Sequence, residues 1–133
     1  MRLRSLLLAA PMMLALAACD GGPETPPEPT GGNFDALLQG PTSSESAALV
    51  ELTGSGIEDV QSNGPAIVAS SPVTGGRRVV VVRTAPGAIG FRVRVAPGNT
   101  APTARVVELA DADDQLRASL AGYQVTLTRA AAQ

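Results

Sequence analysis

GRRVVVVRTAPGAIGFRVRVAPG, residues 76–98, is the stretch of this 133-residue chain on which the fold class turns. In its second half Phe91, Val93 and Val95 alternate with Arg92 and Arg94. A strand sends successive side chains to opposite faces, so the apolar set shares one face, toward a core, and the two Arg share the other. In its first half Val79 to Val82 is apolar on both faces, which predicts a central strand or one covered on its outer side. Between the halves lies Thr84-Ala85-Pro86-Gly87. Pro presets φ at the first central position of a type II turn and Gly tolerates the second, so the two strands are expected to form a hairpin.

Working outward, short apolar runs are broken by Gly, Pro, Ser and Asn at intervals near ten residues, the pattern of an all-β sandwich. Seven strands are expected: Phe34 to Gln39, Ala47 to Thr53, Ala66 to Ser70, Arg78 to Arg83, Ile89 to Val95, Ala104 to Ala110, and Tyr123 to Thr128. In the last, Tyr123, Val125 and Leu127 oppose Gln124, Thr126 and Thr128. One short helix near the C-terminus is expected over Gln115 to Ala121, with Asp113 as its cap, Asp114 in its first turn and Gly122 at its end. Leu116 and Leu120, four apart, would then close one end of the sandwich. Gly54-Ser55-Gly56 reads as a turn and not as a phosphate cradle, because no helix signal follows it.

This order of short strands resembles the immunoglobulin-like antiparallel sandwiches of bacterial surface proteins, and residues 76–98 are similar to the paired central strands of cohesin-type modules. The second likeness covers only those 23 residues and contains no diagnostic motif, so dockerin binding is carried to no named residue. With Phe34, Phe91 and Tyr123 as the only aromatic residues, the core is expected to rest on Val, Leu, Ile and Ala.

The chain has no His, no Lys and a single Cys, Cys19. That composition excludes Ser-His-Asp and Ser-Lys nucleophiles, Schiff bases, a Walker phosphate loop, an ordinary zinc site and an internal disulfide. Carboxylates remain. Asp111, Asp113 and Asp114, with Glu108 just before them, form an oxygen cluster of the kind that holds Ca²⁺. A cap and a solvated acidic turn account for the same residues without a metal, and no Gly or distal bidentate Glu stands at EF-hand spacing. Two carboxylates acting on a glycosidic bond are disfavoured by the scarcity of aromatic residues to stack on a sugar.

Arg77, Arg78, Arg83, Arg92, Arg94 and Arg105 occur with no acid between Val60 and Val107, while the acids lie to either side. Cross-strand charge pairing on solvated faces explains this plainly. The functional alternative groups Arg83, Arg92 and Arg94 on the hairpin, where they would meet an anionic protein or lipid surface. Nucleic acid is not an expected partner. The part of the chain beyond residue 18 has eight Arg against twelve Asp plus Glu, a formal charge of −4, and the strand face that carries Arg92 and Arg94 has no aromatic residue.

Arg2 and Arg4 precede an apolar run from Leu6 to Ala18, thirteen residues long and shorter than the roughly 20 of a membrane-spanning helix. The run ends in Leu16-Ala17-Ala18-Cys19, which resembles the bacterial lipobox. The resemblance implies a signal peptide over residues 1–18, cleavage before Cys19, a diacylglyceryl thioether on its sulfur and acylation of the new amine. Two or three chains on one residue make a durable anchor, since each buried methylene contributes about 0.8 kcal/mol. Asp20 resembles the inner-membrane retention signal of enteric bacteria, a rule other phyla need not follow, so the choice of membrane stays open. Residues 19–33 then form a Pro- and Gly-rich tether that reaches at most about 40 Å if extended. The expectation is a lipid-anchored envelope protein whose domain, residues 34–129, is a non-enzymatic binding or structural module without a cofactor. The alternatives are a Ca²⁺-dependent adhesive module and a carboxylate-dependent envelope hydrolase.

Overall fold

A computed structural model of the chain describes residue 22 and residues 31–131. The leader, Cys19, Asp20 and most of the tether therefore lie outside the described residues. The domain is all-β, with eight antiparallel strands in two four-stranded sheets. The strands are β1 Gly32–Gln39, β2 Glu45–Thr53, β3 Ile57–Ser62, β4 Ile67–Val73, β5 Gly76–Val82, β6 Gly90–Val95, β7 Thr103–Asp111 and β8 Gln124–Arg129. One sheet has the order β3-β6-β1-β8 and the other β4-β5-β2-β7. β1 pairs with β8, β2 with β7, β3 with β6 and β4 with β5, so the chain is a two-stranded ribbon whose successive pairs alternate between sheets.

The alternation in β6 holds as expected. Phe91, Val93 and Val95 are buried, and so are Val79 and Val81 of β5, Ala48, Val50 and Leu52 of β2, Phe34 and Ala36 of β1, and Val106 and Leu109 of β7. The core is aliphatic apart from Phe34 and Phe91, with Tyr123 packed at its margin.

The expected β5–β6 hairpin does not form. β5 pairs with β4 and β2, whereas β6 pairs with β1 and β3 in the opposite sheet. Residues 83–89 are a crossover between sheets, held by Arg83 N–H to the Ser46 carbonyl at 2.7 Å and Leu38 N–H to the Ile89 carbonyl at 2.9 Å. Alternation reports which face is buried and is silent on which sheet a strand joins, because both sheets turn an apolar face to one core. The tight hairpin is β4–β5 instead, turning through Thr74-Gly75, where Gly75 has φ 79 in open space.

β3 escaped the sequence reading because a register shift between Ile57 and Asp59 breaks its period of two. Its two apolar residues, Ile57 and Val60, stand three apart. β1 starts at Gly32, two residues before the expected boundary, and β4 runs three residues beyond Ser70.

The expected C-terminal helix is also absent: among the described residues there is no helix. Asp111, not Asp113, organises the segment, its Oδ1 accepting the backbone N–H of Asp113 and Gln115 at 3.0 Å each. Asp114 takes φ 58, outside the helical region. The chain then folds back along β7, with a bridge between Ala110 and Leu116 and a bond from Arg117 N–H to the Leu109 carbonyl at 2.8 Å. A two-turn helix is marginal by itself, and these contacts outweigh it. Leu120 packs on the core, but Leu116 stands outside it and closes nothing.

Because the strands alternate in direction, the ends of the sandwich are distinct. The start of β1, the 54–56, 74–75 and 96–102 turns and the end of β8 share one end, the proximal end. The 40–44, 63–66, 83–89 and 112–123 segments share the other, the distal end.

Candidate functional site

The structure separates the three Arg grouped in the sequence reading. Arg92 and Arg94 do share the outer face of the β3-β6-β1-β8 sheet, but each meets an acid there. Arg92 Nε lies 2.7 Å from Asp35 Oδ1 and its Nη2 lies 3.2 Å from Oδ2, a bidentate pair set by the Asp35–Arg92 register. Arg94 Nε lies 3.1 Å from Glu58 Oε2. Asn33, Asp59 and Gln61 complete this polar surface. Arg83 sits on the crossover, where its guanidinium donates to the carbonyls of Ala85, at 3.0 Å, and Ala88. The three do not assemble into one cationic face. Arg77 also links elements, donating to Ser70 Oγ at 3.1 Å and, across the sandwich, to the Glu58 carbonyl at 3.5 Å.

The acidic run 108–114 is spread over the end of β7 and the turn after it. Asp111 spends Oδ1 on the two backbone N–H groups of that turn, and Glu108 points from the outer face of its sheet. Among the described residues no group of three His, Cys, Asp or Glu is placed to hold a metal ion.

Two features were not singled out from sequence. The first is Glu45, whose side chain is 2 % exposed. Its Oε1 accepts from Thr42 Oγ1 at 2.5 Å, Tyr123 Oη at 2.7 Å and Arg117 Nη2 at 3.1 Å, and its Oε2 accepts from Arg117 Nε at 3.1 Å. Burial by itself raises the pKa of this carboxyl and is the largest single influence. The hydrogen bonds from Arg117, Thr42 and Tyr123 and the charge of Arg117 together outweigh it, holding Glu45 below its ordinary value. A carboxylate with both oxygens engaged in this way is a clamp joining β2, the 40–44 segment and the 112–123 segment. Thr42 is three residues away but Arg117 and Tyr123 lie 72 and 78 residues away, and Glu45 and Ser46, at a register shift before Ala47, are both buried. No local pattern announces such a cluster.

The second feature is the outer face of the β4-β5-β2-β7 sheet. Register places Ile67, Val82, Ala47 and Ala110 in one row, with Leu116 bridged to Ala110 at its end. Ala69, Val80 and Leu49 form the next row, ended by Glu108, and Ser71, Arg78, Glu51 and Arg105 the one after. Four of the five large hydrophobic side chains exposed among the described residues lie here: Ile67 at 65 %, Leu116 at 69 %, Val80 at 41 % and Val82 at 40 %. The apolar rows occupy the distal half of the sheet and the charged row follows toward the proximal end. The double-faced apolar run of β5 thus belongs to a central strand whose outer side is open. The groove between Leu49, Val80 and Leu116 has a volume of about 210 Å³. Small-molecule sites occupy about 300–1,000 Å³, so this groove is the relief of a sheet surface.

Fold and surface together define a β-sandwich with one open aliphatic sheet face. Comparison with protein-family models, with curated proteins and with solved structures gave no match.

Proposed function

We propose that this chain is a lipid-anchored, non-enzymatic binding module of the bacterial envelope, which presents the outer face of the β4-β5-β2-β7 sheet to a protein partner. The observation that carries the binding role is the concentration of Ile67, Val80, Val82 and Leu116 on one exposed face. Each Å² of such a patch left in water is unfavourable by about 25 cal/mol, and clustered exposed aliphatic side chains rimmed by charges are the usual mark of an interaction surface. The opposite sheet, with Arg92 and Arg94 neutralised by Asp35 and Glu58, offers no comparable surface. The anchor reading is supported by the Leu16-Ala17-Ala18-Cys19 sequence behind its charged and apolar leader. Anchored through Cys19, the domain would stand on its proximal end with the apolar rows held away from the lipid.

The sandwich itself is immunoglobulin-like in this reading. In an immunoglobulin constant domain the second, fifth and fourth strands are neighbours, as are the third and sixth. β2-β5-β4 and β3-β6 repeat that pairing, while β7 stands where the first strand would lie and β1 where the last would.

Two measurements test the proposal. Intact mass of the membrane-extracted protein should show a chain starting at Cys19 with added acyl groups, and Cys19→Ser should abolish both; an unmodified chain that stays soluble removes the anchor. A photoreactive p-benzoylphenylalanine replacing Val82 should give protein adducts in intact cells, while the same probe replacing Thr128 on the other sheet should not. Equal labelling at both positions, or none at either, removes the binding face.

A further inference from the structure

We infer that the occupant of the apolar face is a second copy of this chain, docked sheet to sheet about a twofold axis running parallel to β5 and β2 and between them. This deepens the binding-module reading and rests on it. A twofold axis in that place exchanges the two central strands, so whatever complements across the β5–β2 pair within one copy also complements between copies. Register pairs Val82 with Ala47, Val80 with Leu49 and Arg78 with Glu51. In the dimer Val82 faces the small side chain of the other copy's Ala47, Val80 faces Leu49, and each Arg78 faces a Glu51.

The charges agree with this arrangement. Glu51 already receives Arg78 at 3.5 Å and Arg105 at 3.4 Å within its own copy. The charged row therefore has one acid at its centre flanked by two cations, and the axis sets that acid against the other copy's Arg78. A perpendicular axis through the middle of the sheet would instead lay the apolar rows of one copy on the charged row of the other, whereas the favoured axis sets a single charge, Glu108 at the rim, against the other copy's Ala69. The favoured axis has a second consequence. It leaves both proximal ends, where β1 begins, on the same side of the dimer, so two anchored copies reach one membrane.

The size of the face sets the strength. Four strands about 4.8 Å apart and about seven residues long present roughly 450 Å² per copy. That lies below the approximately 800 Å² per partner of a stable interface. The pair is accordingly weak in dilute solution, and confinement to a membrane supplies the effective concentration that sustains it.

The test uses the full chain in intact cells, in two differently tagged copies with p-benzoylphenylalanine at Val82. Irradiation should give a species of twice the chain mass carrying both tags. Arg78→Glu in both copies, or Glu51→Arg in both, sets like charges across the axis and should cut that species by about tenfold or more. Co-expression of one copy carrying Arg78→Glu with one carrying Glu51→Arg restores opposite charges between copies while each copy keeps like charges within itself. The mixed species should therefore return to near the parental yield. Arg78→Gln, which brings no like charges together, should give partial loss, and so should Glu51→Gln, which leaves Arg78 and Arg105 without their shared acid. Failure of the mixture to recover while both single variants retain their parental melting temperatures overturns the dimer, as does labelling of other proteins without self-adducts. Fractionation of the same cells reads the anchor separately. Self-adducts in a soluble fraction would sink the lipid anchor, and the need for membrane confinement with it, while leaving the sheet-to-sheet contact standing.

Discussion

The Glu45 clamp gives the sharpest quantitative expectation. Glu45→Gln preserves shape while removing the charge that Arg117, Thr42 and Tyr123 converge on. Hydrogen bonds to a charged group contribute about 1.5–3 kcal/mol each, but these four share one side chain, and neutralising it also relieves its desolvation. The net loss is about 2–4 kcal/mol. For a domain of about 100 residues, where 1 kcal/mol moves the melting temperature by about 4–8 °C, the expected fall is on the order of 10–25 °C. Circular dichroism melts at neutral pH, paired with urea titrations, measure it directly. Tyr123→Phe, which leaves the Arg117 pair in place, should cost only about 1 kcal/mol. A fall below about 3 °C for Glu45→Gln would refute the reasoning, since it would mean the carboxylate holds nothing that water does not replace.

Acid provides an independent reading of the same group: because Glu45 is held below its ordinary pKa of 4.5, its contribution is complete above that value and is lost as pH falls through the folded value, so the gap between parent and Glu45→Gln melting temperatures should narrow once pH drops under 4.5 and close beneath the folded value. Leu52→Ala, at a position with no exposed surface, should cost about 2–5 kcal/mol in chemical denaturation, whereas Ile67→Ser on the open face should leave stability nearly unchanged. Gly76→Ala should be worse than Gly75→Ala, because a Cβ at Gly76 would meet the Leu52 carbonyl oxygen at 1.8 Å, while at Gly75 it meets open space and costs only the φ of 79, about 1 kcal/mol by thermal melt.

Much of the β-architecture is legible in the sequence because period-two alternation is a local consequence of strand geometry. Phe91, Val93 and Val95 opposite Arg92 and Arg94 fix a half-buried strand before any partner is known, and Val79 to Val82 marks a central one. Partner choice is a different matter. β5 and β6 lie seven residues apart and look like a hairpin, yet each is taken by strands of a different sheet, because pairing is decided by edges that carry no side-chain pattern. β3 was lost to a register shift, and the expected helix to contacts of Asp111, Leu116 and Arg117 made only after the ribbon has folded.

The surface divides along the same line. Sequence by itself determined composition, and with it the exclusion of His- and Lys-based chemistry and of an internal disulfide, as well as the alternation that places Arg92 and Arg94 on a solvated face. Only the tertiary structure decided that Asp35 and Glu58, 57 and 36 positions before their Arg partners, neutralise that face. It alone brought Ile67, Val80, Val82 and Leu116 from three separate segments onto one open surface and closed Arg117 over Glu45. The physical reason is range. Side-chain periodicity is set by bonds between neighbours, whereas burial and charge compensation are set by which distant strands share a sheet.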